Sequence, residues 1–349
     1  MDQDDQPKWR DDPSDSFSDW KIEIISQDEN EKGEKSHLYH VHKMFLAHGS
    51  RRSEYFFKLF RSETDFKENQ SNMSQITLDP LAAKAFPCLL DYIYGANLCI
   101  TTETATALHH LAEYFEIKPL QRKALEFLEA DISVENVHIS YVHAKQLCNE
   151  PVMSLVTDFL KRNISAVLPT TPIVEQSSPD LWLSVLDLNG DQDKIEIKNT
   201  VQLSQVIARM CIRQPKETLD ATTFHTLADG LTRIHSSVAW ELSELADAYR
   251  LHDEKVENES GLPLIQERCI DSLATKWQTL DGADKAQLEK MRQRSPAFLV
   301  ELLVQTVREA SKEIDAMAVK LAEWKRKLKE HNKVNRRYAV RYRSDSSSD

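Results

Sequence analysis

The sequence predicts an α+β domain, then an all-α region, then one long C-terminal helix, and three observations carry that prediction. Alternating apolar and polar residues, the mark of a half-buried strand, occur only before Val134. From Val134 onward the apolar residues recur at helical spacing. From Val300 to Leu328 they recur at alternating steps of three and four, which is a heptad seam.

Residues 1–18 are acidic and hold too little apolar surface to offset the entropy of ordering them, so they are expected to be disordered. WKIEII, from Trp20, alternates as a strand does. SQDENEKGEKS reads as a polar turn and HLYHVHK as the second strand of a hairpin. Ser53 is a capping-type residue ahead of EYFFKLF, where Phe56, Phe57, Leu59 and Phe60 fall at helical spacing. QITLD is a third short strand. PLAAKAFPCLLDYIYG opens with Pro80 and closes at Gly95, the usual polarity of a helix, and Pro87 is expected to kink it. Two more helices, TETATALHHLAEYFEI and KPLQRKALEFLEADI, meet at Pro119.

Beyond Val134, SVENVHISYVHAKQLC, PVMSLVTDFLKRNISAVL and SPDLWLSVLDL read as amphipathic helices. The polar connector NGDQDKIEIKN separates them from VQLSQVIARMCIR, ATTFHTLADGLTRIH, SVAWELSELADAYRLH, LPLIQERCIDSLATKW and SPAFLVELL. Ser178-Pro179 and Ser295-Pro296 echo each other. Either two helical units, roughly 134–188 and 238–303, repeat one pattern, or both pairs are simply helix starts. In the last helix Leu303, Val307, Ile314, Met317, Leu321, Trp324 and Leu328 lie on the seam with Val300 and Ala310. His331, Asn335 and Tyr338 continue the step with polar types. Such a seam either joins a coiled coil or packs back on its own domain; its strict step over this length favours pairing with another helix.

Composition removes several function classes. The glycines are scattered, the closest pair 16 residues apart, so no phosphate-cradling loop of the G-x-G-x-x-G or G-x-x-x-x-G-K type exists. The five cysteines form no C-x-x-C pair, which argues against a disulfide framework or a structural zinc site. No apolar run approaches the length of a membrane span, and the acidic start lacks a signal-peptide core, so a cytoplasmic or nuclear setting is expected. The net charge of −12 speaks against a nucleic-acid coat. Charge is nonetheless uneven: residues 1–31 hold 11 acidic and 3 basic side chains, while residues 320–349 hold 10 basic and 4 acidic. His40 and His42 share one strand face and His37 the other, too few converging ligands for zinc. No serine sits in a Gly-flanked elbow and no cysteine has activating company. No catalytic residue, cofactor or metal is therefore expected, and the protein is not expected to be an enzyme. His42 is expected to cap or bridge within the scaffold.

In order and spacing, VHKMFLA, SEYFFKLF, FKEN, ITLDPLAAKAFPCLLDYIYG and ALHHLAEYFEIKPLQRKALEFL resemble a BTB (POZ) domain from end to end. Asp19 stands before the first strand where that family usually has an aspartate. His42-Lys43 matches its histidine-basic pair, and Tyr92-Ile93-Tyr94-Gly95 its aromatic helix end. The resemblance assigns residues 19–131 to the BTB domain, a sheet and hairpin wrapped by helices. Residues 132–190 resemble a BACK domain, followed by a helical extension at 191–296 (in which a second BACK-like unit is one option), the heptad helix at 297–338 and a disordered tail at 339–349. Two features depart from the family pattern. HGSRR inserts about three residues after Leu46-Ala47, leaving Arg51 and Arg52 as alternatives for the family's basic pocket residue. The segment MDQDDQPKWRDDPSDS is not the amphipathic helix through which many BTB dimers swap, so assembly is expected from the C-terminal heptads instead.

The resemblance implies a protein-interaction adaptor: the BTB domain binds the BTB-specific cullin of a ubiquitin ligase and another region captures a protein substrate. The family's cullin contact includes a hydrophobic-x-Glu motif, which Phe66, Lys67 and Glu68 match in place. An aromatic can fill a partner's pocket while a carboxylate fixes register; a core Phe beside a helix-start Glu is the plainer alternative. The other functional expectation is a BTB and coiled-coil oligomeric scaffold or nuclear factor. Lys325, Arg326, Lys327, Lys329, Arg336 and Arg337 would then serve as a nuclear address or phosphate contact, or else form a solvated helix face.

Overall fold

The computed structural model describes residues 7–27, 34–61, 67–186, 200–214, 219–249, 262–276 and 282–345. The chain divides into two compact units, residues 1–195 and 196–349.

The first unit is built on a three-stranded sheet of order β2-β1-β3. β1 (Trp20–Gln27) pairs antiparallel with β2 (Glu34–Val41), from Trp20 opposite Val41 to Gln27 opposite Glu34. β3 (Met73–Thr77) joins the other edge of β1 in parallel, with Ile24 opposite Ile76. Alternation puts Trp20, Ile22 and Ile24 on the buried face. That face is covered by short helices α1 (Lys43–Ala47) and α2 (Glu54–Arg61), then α4 (Pro80–Ile93), α5 (Thr102–Tyr114) and α6 (Lys118–Asp131), while α3 (Lys67–Ser71) leads into β3. The core is rich in rings: Phe115 stacks on Phe56 at 5.5 Å and meets Phe86 at 5.8 Å, and Trp20 meets Phe60 edge-on at 4.8 Å.

Local chemistry sets the helix ends. Ser53 Oγ accepts the Phe56 N–H at 3.2 Å and donates to the Phe115 carbonyl at 2.7 Å, so one buried serine caps α2 and ties it to the end of α5. Asp79 accepts the Leu81 N–H at 2.8 Å ahead of Pro80, and Thr101 and Thr104 form a reciprocal capping box on α5. α4 continues on both sides of Pro87 without a break. Its C-terminal Gly95 adopts φ +82°, a left-handed conformation that suits glycine.

Of the acidic segment 1–18, residues 1–6 lie outside the described residues. Residues 7–19 pack along the domain: Trp9 sits edge-on to Tyr39 at 5.7 Å and its Nε1–H donates to Asp91 at 3.0 Å. Arg10 forms a bidentate pair with the same carboxylate at 2.6 and 2.8 Å. Average composition is acidic and polar here, yet one tryptophan and one arginine anchor the segment.

After α6 come α7 (Val137–Gln146), α8 (Glu150–Asn163), α9 (Pro172–Gln176) and α10 (Pro179–Val185). The Tyr141 hydroxyl, 2.9 Å from both the Ser178 N–H and Ser178 Oγ, pins the start of α10 to α7. Asn149 caps α8 and donates from Nδ2 to His109 Nδ1 at 3.0 Å, joining α8 to α5.

The described elements of the second unit are all helices: α11 (Thr200–Arg213), α12 (Ala221–Asp229), α13 (Ser236–Ala248), α14 (Leu264–Ala274), α15 (Gly282–Arg294) and the 50-residue α16 (Pro296–Asp345). Phe224, Trp240, Cys211, Cys269 and, from the start of α16, Phe298 and Leu302 are buried. Arg268 Nη1 donates to the carbonyls of Ala228, Asp229 and Leu231 at 3.2, 3.1 and 2.7 Å, closing the C-terminus of α12. Both Ser-Pro pairs stand at helix starts, Pro179 opening α10 and Pro296 opening α16. The cysteines are free; Cys211 and Cys269 are buried, Cys99 and Cys148 exposed.

Candidate protein-docking surfaces

The histidine-rich stretch after β2 is scaffold. His42 Nε2–H donates to the Ser16 carbonyl at 2.5 Å, which leaves Nδ1 as the acceptor for the Tyr94 hydroxyl at 2.9 Å. That hydroxyl in turn accepts the His42 backbone N–H at 2.8 Å. Burial pushes the Tyr94 phenol well above its ordinary range. Asp19 accepts the Lys43 N–H at 2.8 Å and so satisfies the first turn of α1. The Lys43 ammonium lies 4.5 Å over the Trp20 ring and reaches Asn72 at 3.1 Å. The motif residues before β1 and after β2 thus fasten the two strand ends to α1. Among the described residues no group of three His, Cys, Asp or Glu side chains could hold a metal ion.

One face of the first unit, formed by α2, the start of α3 and the end of α5, presents aromatic and charged groups to solvent. Tyr114 is 45% exposed, and Tyr55 lies against it at 6.0 Å between ring centres. Lys58 pairs with Glu116 at 2.5 Å across the two helix ends. Away from that face, around α2, Phe57 is half-buried and flanked by the guanidinium groups of Arg52 at 4.3 Å and Arg61 at 4.6 Å. Glu68 is half-buried in the first turn of α3. Burial, then Tyr114, then Glu68 push the Tyr55 phenol upward, which places the Glu68 carboxylate in electrostatic range of this face. Lys67 begins α3, and Phe66 lies outside the described residues. Sequence reasoning did not single out Tyr55, Phe57 or Tyr114 as surface groups, because aromatics at helical spacing read equally well as core.

Arg51 and Arg52 separate in space. Arg52 pairs with Glu54 at 2.8 Å. Arg51 donates to the Tyr92 carbonyl at 3.2 Å and lines a cleft of about 490 Å³ with Trp9, Arg10, Asp91 and Tyr94.

In the second unit α16 is packed only near its start. From Ser311 to His331 every residue is exposed. The seam residues Leu303, Val307, Ile314, Met317, Leu321, Trp324 and Leu328 are between 45% and 69% exposed. The apolar stripe is thus open to water along this length. Lys325, Arg326, Lys327 and Lys329 share the exposed stretch, and Lys327 pairs with Glu323 at 3.0 Å one turn back. Arg336 and Arg337 lie farther along the same helix. No helix of the described residues is long and apolar enough to cross a membrane.

Comparison with known proteins bears on the first unit. Residues 24–132 match the profile of the BTB/POZ domain family. Kelch-like protein 28 of mouse and of human are each 26% identical to this chain over 143 residues, which is 41% of the chain and 24% of the relative. The chain thus spans about a quarter of the length of these curated relatives. The hairpin, the parallel third strand, the enclosing helices and this match together identify residues 24–132 as a BTB/POZ domain.

Proposed function

We propose that the protein is an interaction adaptor that docks a cullin of a ubiquitin ligase through its BTB domain and captures a protein substrate through its helical region, of which residues 132–190 form a BACK-like module. The observation that supports this most is the α2–α3–α5 face, where Tyr55 lies against the exposed Tyr114 and within electrostatic range of Glu68 of the Phe66-Lys67-Glu68 motif. Exposed aromatics beside a positioned carboxylate are the chemistry of an anchored interface. The test is affinity capture of the BTB-specific cullin by the full chain and by the Phe66→Ala/Glu68→Ala double variant. Capture by the parent and loss in the folded variant supports the reading; equal capture by both rejects the motif, and no capture by either rejects cullin docking.

A second reading rests on the exposed seam of α16: an oligomeric scaffold without a ligase role, with Lys325, Arg326, Lys327, Lys329, Arg336 and Arg337 as a nuclear address or phosphate contact. Co-purification separates the two. An adaptor brings down a cullin; a scaffold brings down copies of itself.

A further inference from the structure

We propose that α16 pairs with α16 of a second copy of this chain in antiparallel orientation, in the register that sets Leu303 opposite Leu328, Val307 opposite Trp324, Ala310 opposite Leu321 and Ile314 opposite Met317. The inference deepens the self-association reading and does not depend on cullin docking.

Three observations carry it. The seam is unpartnered within its own unit: beyond Ala310 nothing of the described unit covers it. Its heptad a positions are Val300, Val307, Ile314, Leu321 and Leu328, and its d positions are Leu303, Ala310, Met317, Trp324 and His331. In a parallel pair, each position meets itself. Ala310 would face Ala310 across a void, and two heptads later Trp324 would face Trp324 in a layer too narrow for both. In an antiparallel pair a positions meet d positions. All five a-d layers then close in one register, and the small Ala310 meets Leu321 while the large Trp324 meets Val307.

The flanking charges choose the same orientation. Parallel helices bring g residues to the e residues of the following heptad, which sets Lys320 against Lys325 of the partner on both sides. Antiparallel helices bring g to g, which sets Glu313 beside Lys320 of the partner, twice by symmetry. Over the whole helix, the stretch from Pro296 to Glu323 holds five carboxylates and three cations, and the stretch from Lys325 to Arg343 is strongly basic. Antiparallel pairing keeps two basic ends apart. The paired stretch, Val300 to His331, spans about 46 Å at 1.5 Å per residue. The two α11–α15 bodies would thus sit at opposite ends of a rod.

The test uses the full chain with Cys99 and Cys148 replaced by serine. Leu303→Cys and Leu328→Cys are expected to form an interchain disulfide when the two variants are co-expressed, and neither is expected to do so alone. Self-cross-linking of Leu303→Cys overturns the orientation while leaving self-association standing. Absence of a cross-link in the co-expressed pair overturns pairing in this register, and a monomeric mass by sedimentation overturns self-association itself. Surface charge reversals supply a second reading that leaves the fold intact. Lys320→Glu and Glu313→Lys should each weaken dimerisation about fivefold, with recovery in the double variant. A strengthened dimer for Lys320→Glu alone is the result expected of parallel helices and would sink the proposal.

Discussion

The Tyr94 hydroxyl accepts the His42 backbone N–H and donates to the same residue's Nδ1, so a single phenol ties the end of β2 to the end of α4. Tyr94→Phe deletes both bonds and leaves a partly buried N–H and ring nitrogen unsatisfied. The expected loss is about 1–3 kcal/mol of unfolding free energy, measured by urea denaturation. A change within error would mean that water replaces the phenol.

Asp91 holds the N-terminal segment through Trp9 and Arg10. Asp91→Ala should cost about 1 kcal/mol, since Arg10 is mostly solvated, and should expose residues 7–19 to limited proteolysis. Equal cleavage rates for variant and parent would show that ring packing of Trp9 on Tyr39 and the His42 bond to the Ser16 carbonyl suffice to hold the segment.

Phe66→Ala with Glu68→Ala should reduce cullin capture about thirtyfold, the scale of losing ~2 kcal/mol at an aromatic anchor. The circular dichroism spectrum and thermal midpoint should remain near those of the parent, which separates a lost contact from a lost fold.

His109 predicts a pH dependence. Burial foremost holds its pKa below the ordinary 6.5, with Glu113 opposing and His110 adding to the fall. Below about that pH the unfolded chain takes up a proton that the folded ring refuses until the solution is more acidic. Stability from this site is complete above pH 6.5 and is lost as pH falls. His143, also lowered chiefly by burial, acts in the same direction. Urea midpoints at pH 7.5 and 5.5 should therefore differ, the acidic one lower, and His109→Gln should narrow the gap. An unchanged gap would assign the acid sensitivity to other groups.

Arg268 closes the end of α12 with three carbonyl contacts. Arg268→Ala should destabilise the second unit by about 1–3 kcal/mol, and Arg268→Lys should recover only part, since an ammonium lacks the planar fork. Differential scanning calorimetry would show this as a shift in one transition rather than in both.

Much of the first unit was legible because its signals are local and redundant. Period-two alternation at Trp20, Ile22 and Ile24, the capping residues Ser53 and Asp79, and the Pro80-to-Gly95 span each point to one element. The anchored N-terminus was not legible, since composition averages over residues and the segment is held by a few of them, Trp9, Arg10 and the Ser16 carbonyl. α15 escaped notice because GADKAQLEKMRQR offers little apolar periodicity; Met291 is its one residue in the buried core among those described. α9, five residues long, is too short for any period to register. The candidate face was half visible: Glu68 could be placed by pattern, whereas Tyr55 and Tyr114 are separated widely in sequence and meet only when α2 and α5 pack.

The buried thiols of the second unit carry a practical consequence. Burial pushes Cys211 up to about 12 and Cys269 higher still, so neither supplies thiolate at neutral pH while the helices stay closed. A maleimide dye added to the native protein should label Cys99 and Cys148 quickly. Slow later labelling at Cys211 and Cys269 would then clock how often α11 and α14 open to solvent, residue by residue and without any engineered probe.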